Sequence, residues 1–321
     1  MMNRREFGRS IAGVAAGAAA GSVASAMPSS FSEGSQSKGA AGTAPFKLSV
    51  MLWTVFRGQP FAQRLERVAE AGYHAVELVD EFKEWKKEDF AAARRKKNEL
   101  GMEIDACCGV WRTLADAGDR EVFLQNLRDF IATMRELECT RLVMQTGNAV
   151  PGLSREAMHT NCVETLKRGG EIAAQNGIEL LVENIDPEEN PKYFLTSCAE
   201  GFEIVRAVGN PHVKFLNDFF HEQIAEGNLI EQIEKNFDLV GLVHIADVPG
   251  RHEPGTGEIY YPNIYKKLGE LGYDRYVAME FMPTGEPVAA LRAAREMAMK
   301  FGAVQRKQSS NEIPGRSYAT A

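Results

Sequence analysis

The chain lacks most of the common signatures of cofactor and nucleic-acid binding. No G-x-G-x-x-G follows its first apolar strand and no G-x-x-x-x-G-K-[S/T] occurs anywhere, so dinucleotide and P-loop readings have no support. Its five cysteines, Cys107, Cys108, Cys139, Cys162 and Cys198, are scattered, odd in number and without C-x-x-C spacing, which argues against a disulfide framework and a thiolate-rich zinc site. Nothing forms a basic stripe, and the formal net charge is −7, so nucleic acid is a poor partner. No apolar run reaches membrane-spanning length: residues 11–20 are the best candidate, and they are short and rich in Ala and Gly. What remains is ordinary globular composition, 44% hydrophobic and 25% charged over 321 residues, enough for one large α/β domain or two small ones.

The first residues read as a targeting segment. Arg4 and Arg5 are adjacent, Phe7 follows, a modest apolar run comes next, and Ala24-Ser25-Ala26 offers small residues for cleavage. This is the layout of a twin-arginine export signal over residues 1–26, which places the mature protein in the periplasm or outside the cell without a stable membrane anchor. Residues 27–44 are Ser, Gly, Ala and Pro with few large apolar side chains and read as a flexible linker. The polar stretch 305–321 reads as a loose tail.

Between them, over residues 45–304, strand and helix patterns alternate. Strands are expected at 46–53, 74–79, 102–107, 141–145, 178–183, 213–218, 239–245 and 276–281. Helices are expected at 61–71, 87–100, 120–137, 155–175, 197–208, 229–236, 263–271 and 287–301, several closed by glycine. The strands are short and mostly apolar, as when both faces are covered. Eight such units predict an α/β fold, a (β/α)8 TIM barrel, with an open doubly wound sheet as the competing architecture.

Barrel chemistry sits at the C-terminal ends of the strands. Four consecutive predicted strands end in a metal-capable residue after an apolar run: Glu183, Asp218, His244 and Glu280. Each alone has a plainer explanation. A strand-end carboxylate caps the next helix, and a lone histidine in an apolar strand is a satisfied core group. In series they are harder to dismiss, because three converging carboxylates repel unless a cation joins them. Three carboxylates and one imidazole suit Mn²⁺, Mg²⁺ or Co²⁺. Behind His244 runs a glycine- and proline-rich loop carrying Arg251, His252, Glu253 and Glu258. Arg251 is either the fork for a substrate carboxylate or a surface arginine paired with Glu253 or Glu258. His221 either contacts substrate or faces solvent at a helix start. Glu258 is a third substrate-binding candidate. Trp53, Phe56 and Trp111, at or after strand ends, are candidate pocket walls or simple packing residues.

Two stretches carry a family resemblance. The loop R-H-E-P-G-T-G-E-I-Y-Y, preceded by I-A-D, resembles the R-G-E-P-G-T-G-E-I-N-Y of hydroxypyruvate isomerases. The segment N-D-F-F-H-E-Q-I-A-E-G-N resembles that family's Y-D-I-Y-H-x-Q-x-x-E-G-x. The likeness is strong over residues 213–283 and weak over the rest of a xylose-isomerase-like barrel. It implies that Glu183, Asp218, His244 and Glu280 bind a divalent metal and that Glu183 and Glu280 move the proton. The implied substrate is a small sugar or hydroxy-keto acid, such as hydroxypyruvate passing to tartronate semialdehyde through an enediolate. A homo-oligomer is left open.

The resemblance has one departure. Some hydroxypyruvate isomerases have glutamine where this chain has His244, whereas ketose 3-epimerases of the same superfamily have histidine. The epimerase reading therefore stands beside the isomerase one, since both use two carboxylates about one enediolate. A periplasmic sugar-binding module with a structural metal is the non-enzymatic alternative. The superfamily's abasic-site endonucleases need further histidines at early strand ends, and the first half of this barrel offers only His74 and His159, both misplaced.

Overall fold

The computed structural model describes residues 43–304. The expected export signal, most of the expected linker and the tail lie outside the described residues. Thr43 and Ala44, assigned to the linker from sequence, are described without regular structure, and Ala44 packs against the core.

Eight parallel strands close in sequence order into a barrel, which settles the choice against an open sheet. They are β1 (Lys47–Met51), β2 (Ala75–Leu78), β3 (Glu103–Cys108), β4 (Arg141–Gln145), β5 (Glu179–Glu183), β6 (Val213–Asp218), β7 (Val240–Ile245) and β8 (Tyr276–Met279). Around them lie α1 (Phe61–Glu70), α2 (Lys87–Glu99), α3 (Arg120–Leu137), α4 (Arg155–Asn176), α5 (Cys198–Val208), α6 (Phe219–Ala225), α7 (Leu229–Lys235), α8 (Tyr261–Glu270) and α9 (Pro287–Gly302). Three of these, α3, β4 and β6, have the bounds expected from sequence. The short helix α6 is not among the helices given bounds from sequence, although one reading of His221 set that residue at a helix start. Its apolar residues are too few to make a helical stripe, and it exists because the Asp218 carboxylate caps it, with Oδ1 accepting from the Phe220 and His221 amides at 2.8 and 3.4 Å. Helices α4 and α5 end on Gly177 and Gly209 in the left-handed conformation, as their sequences suggest.

Two apolar layers hold the barrel together. The larger lies between strands and helices and includes Val76, Leu124, Val182, Phe202, Phe215 and Leu291. The smaller fills the barrel interior and includes Met51, Leu181, Leu216, Leu242, Tyr276 and Ala278. Each fully buried aliphatic side chain there is worth roughly 1.5–3 kcal/mol. Alternation of direction along a strand then fixes what comes next: Glu183, Asp218, His244 and Glu280 each stand two residues beyond an interior residue, Leu181, Leu216, Leu242 and Ala278.

That phase depends on two register shifts. Between β6 and β7, Phe215 pairs with Val240 but Leu216 pairs with Leu242, so Gly241 is an extra residue and Asp218 comes to lie beside His244. A Cβ on Gly241 would stand 2.5 Å from Leu181 Cδ2 and 2.7 Å from Lys214 Cβ, so the position requires glycine. Between β2 and β3, Val76 pairs with Ile104 and Glu77 with Ala106, which makes Asp105 the extra residue. All five cysteines are buried and free. No helix among the described residues is long and apolar enough to cross a membrane.

Candidate active site

At the C-terminal mouth of the barrel, the ends of β5, β6, β7 and the residue after β8 bring Glu183, Asp218, His244 and Glu280 together. One ligand atom from each lies within 4.8 Å of all the others, and all four side chains are buried. His244 Nδ1 is 2.6 Å from Glu280 Oε2, 3.8 Å from Glu183 Oε1 and 3.9 Å from Asp218 Oδ2. The plain reading of Asp218 as a helix cap and the reading as a ligand both hold, on different oxygens: Oδ1 caps α6, while Oδ2 faces the cluster.

The electrostatics suit a cation. Burial alone would lower the His244 pKa, but the charges of Glu77 and Glu280 outweigh it and hold it well above the usual histidine value. Three carboxylates this close in a dry site repel strongly. The donor set, oxygen-rich with one imidazole, fits a hard or borderline divalent ion.

Arg251 supplies the nearest fixed positive charge. It is buried, 4% exposed, and its Nη2 lies 3.0 Å from Asp218 Oδ2 and 2.8 Å from Glu280 Oε2. Its Nη1 donates to Glu189 Oε2 at 2.9 Å and stands 3.2 Å from His221 Nε2. The alternative of a surface arginine is therefore overturned: Glu253 instead accepts from the Thr284 amide and hydroxyl, and Glu258 from Gln223. The loop holds Arg251 inward by hydrogen bonds converging on Asp247. Its carboxylate accepts from the amides of Val248, Gly255, Gly257 and Ile259 at 2.8–3.0 Å. Arg251 itself takes a left-handed backbone, φ 57°, and its carbonyl accepts from the Met282 amide at 2.7 Å.

His221 is fully buried, not at the solvent as one reading allowed. The short helix α6 turns it inward, where Nδ1 lies 2.6 Å from Asp186 Oδ2. Burial opposes its charge, yet Asp218 and Asp186 raise its pKa. Asp186, Glu189 and His221 form a second group of converging ligand atoms beside the first. Glu258 is not brought to the cluster: its side chain is exposed.

Of the three aromatic candidates, only Trp53 reaches the cluster. Its indole Nε1 donates to Glu280 Oε1 at 2.8 Å, and its ring faces the Arg251 guanidinium at 5.9 Å. Phe56 packs in the core, and Trp111, 43% exposed, lines a cavity of about 340 Å³ with Phe82, Trp85 and Phe130.

Sequence reasoning missed Glu77, Asp186, Glu189 and Asp247. A charge inside an apolar strand, as Glu77 is in β2, was a legible signal. Asp186 and Glu189 lie in an irregular loop after β5 and gave none. Asp105, inside the same barrel, accepts from Ser49 at 2.7 Å, and burial followed by the charge of Glu77 raises its pKa to about 7.

The profile of the family described as Xylose isomerase-like TIM barrel matches residues 65–300. The chain belongs to that family. A putative hydroxypyruvate isomerase of Danio rerio is 32% identical over 268 residues, covering 79% of this chain and 96% of the relative. A 2-oxo-tetronate isomerase of Pectobacterium atrosepticum is 26% identical over 246 residues, covering 75% and 93%. Among solved structures, one described as an AP endonuclease, family 2, from Brucella melitensis superposes with a TM-score of 0.70 at 29% identity, covering 76% of this chain and 96% of the other. With relatives named as isomerases matched over nearly their whole length, this xylose isomerase-like barrel is an enzyme of the isomerase class.

Proposed function

We propose that the protein is a divalent-metal-dependent isomerase of small 2-oxo acids bearing a hydroxyl on the neighbouring carbon, of the hydroxypyruvate or 2-oxo-tetronate kind. The observation that carries this is the buried convergence of Glu183, Asp218, His244 and Glu280 with a guanidinium beside them. A cation held by those four residues supplies Lewis-acid stabilisation of anionic oxygens.

The residues of the chain do the rest. Arg251, fixed by the Asp247-centred loop, meets Asp218, Glu280 and Glu189 here, and with a cation on the cluster its planar fork would turn to a substrate carboxylate, which every 2-oxo acid has. His221, aligned by Asp186, stands beside it as a polar contact for a substrate oxygen. Glu183 and Glu280 approach from different strands and act as the base and acid pair. For hydroxypyruvate, one carboxylate takes a proton from C3 and the electron pair forms the C2–C3 double bond of an enediolate. A carboxylate then returns a proton to C2, while the hydroxyl proton passes from the C3 oxygen to the C2 oxygen. Atoms and charge balance without an external oxidant or reductant. Burial of all four side chains lowers the dielectric around them and strengthens their effect on developing charge.

His244 favours a second reading, ketose 3-epimerase, because epimerases of the superfamily share that histidine. In that reaction the same two carboxylates remove and return a proton at one carbon.

One experiment separates them. The full chain is supplied with Mn²⁺ in D₂O and offered hydroxypyruvate, 2-oxo-tetronate and a set of ketoses in turn. The metal is chelated out and carbon-bound deuterium is located by NMR. Metal-dependent deuterium entering a 2-oxo acid, lost in Glu280→Gln, is the expected result. Deuterium confined to C3 of a ketose moves the assignment to epimerase. Tight Mn²⁺ binding with no exchange in any substrate favours a binding module. Export through Arg4-Arg5, placing the enzyme in the periplasm, is part of the same proposal and is tested by fractionation of cells carrying Arg4→Lys with Arg5→Lys.

A further inference from the structure

We propose that Glu77 is a positioning residue for the metal centre, holding His244 in the one tautomer that can ligate. Glu77 lies in mid-strand β2, across the barrel from β7 and 167 positions away in sequence. Its Oε2 is 2.8 Å from His244 Nε2, and both side chains are fully buried. A carboxylate only accepts, so this contact places a proton on Nε2. With a cation in place of any proton on the other nitrogen, the ring would be neutral and its lone pair on Nδ1, the nitrogen that faces Glu183, Asp218 and Glu280. A hydrogen bond from the outer nitrogen to a carboxylate fixes ring orientation and strengthens the inner nitrogen as a donor to metal.

Packing does not explain this residue. A carboxylate with no exposure in a barrel interior is costly unless well satisfied. The other oxygen of Glu77, Oε1, has no hydrogen-bond partner among the described residues. Ala75 on the same strand and Val79 just after it belong to the apolar interior, where a leucine or valine would serve stability better. The role of Glu77 therefore lies in what its hydrogen bond to His244 does. It also distinguishes His244 from a glutamine at that position, since an amide has no tautomer to select in this way.

The inference rests on the metal reading above, and its test separates the two. Mn²⁺ is titrated into the full chain, the free ion is counted by EPR, and coupling of bound Mn²⁺ to ¹⁵N-labelled histidine is read by electron spin echo modulation. Unaltered protein is expected to bind Mn²⁺ with a histidine nitrogen coupled. Glu77→Leu is expected to lose about 100-fold in affinity together with the nitrogen coupling. Glu77→Gln, which keeps an acceptor oxygen but not the charge, is expected to lose about tenfold and to keep the coupling. The Glu77→Leu effect should vanish in a His244→Gln background, because the two residues act as one unit. Unchanged affinity and coupling in both Glu77 variants would overturn the inference alone. If Glu77→Leu does not fold, unchanged affinity in Glu77→Gln overturns it. No Mn²⁺ binding by the unaltered chain removes the metal reading and this inference together.

Discussion

The two halves of the barrel carry different chemistry. Strands β5 to β8 deliver the four convergent metal-capable side chains, one from each strand end. Strands β1 to β4 contribute no member of that cluster, yet two of their residues touch it: Trp53, just after β1, donates to Glu280, and Glu77 of β2 meets His244. On the proposed reading the second half supplies the reacting groups, and the first half helps to aim two of them. A closed barrel permits this because residues far apart in the chain face one another across its axis. Histidines and carboxylates that ligate a metal are oriented by such outer partners, and here the half that looks silent provides those of His244 and of one Glu280 oxygen.

The comparison can be broken most sharply at the reacting groups. Glu183→Gln or Glu280→Gln should lower kcat about 10²–10⁴-fold in the exchange assay, the range for removing a general acid or base. A variant that retains more than a tenth of the activity would mean that carboxylate is not the proton carrier. Next in size is Arg251→Lys. Loss of the planar fork against a carboxylate should cost about 1.5–3 kcal/mol, seen mainly in KM, roughly 10–100-fold. An effect on kcat alone would assign the guanidinium to the reacting carbons.

On the aiming side, Trp53→Phe removes one donor from Glu280. Its expected cost is about tenfold in kcat, the worth of a hydrogen bond to a charged group. Tryptophan fluorescence that responds to Mn²⁺ in the unaltered chain and not in Trp53→Phe would tie the effect to the site. The smallest effect is on stability. Asp105 has a folded pKa of about 7, above that of an exposed aspartate. Its contribution is therefore present at low pH and is lost as pH rises toward 7, because the unfolded chain ionises first. Asp105→Asn removes the titration, so its gain in Tm should grow between pH 4 and pH 7 and level off above. A gain constant with pH would show that the Asp105 carboxyl is not shifted.

Much of this was legible in the sequence. Alternating strand and helix patterns gave the barrel, because burial on both strand faces leaves a plain apolar signature. The four cluster residues were visible because each ends a strand, and strand ends in a barrel share one mouth. Other features depended on contacts across the axis, which no local pattern encodes. Glu77 could be seen as an odd charge in an apolar strand, but its partner lies on β7. Arg251 was undecided because its orientation is set by Asp247, whose carboxylate gathers four backbone amides of the loop. His221 was undecided because α6 begins on the Asp218 side chain rather than on an apolar repeat.

Gly241 has a consequence of another kind. A strand presents its side chains to alternate sides, so the barrel keeps count in twos. The one additional residue at Gly241 resets that count between Val240 and Leu242. The parity of β7 is thus decided at its beginning, whereas its member of the buried cluster, His244, stands near its end. A residue deleted near Gly241 would send His244 out among the helices while leaving every residue type of the cluster in the sequence. Aligning such chains by their functional residues alone would miss the loss, and counting strand positions from the bulge would find it.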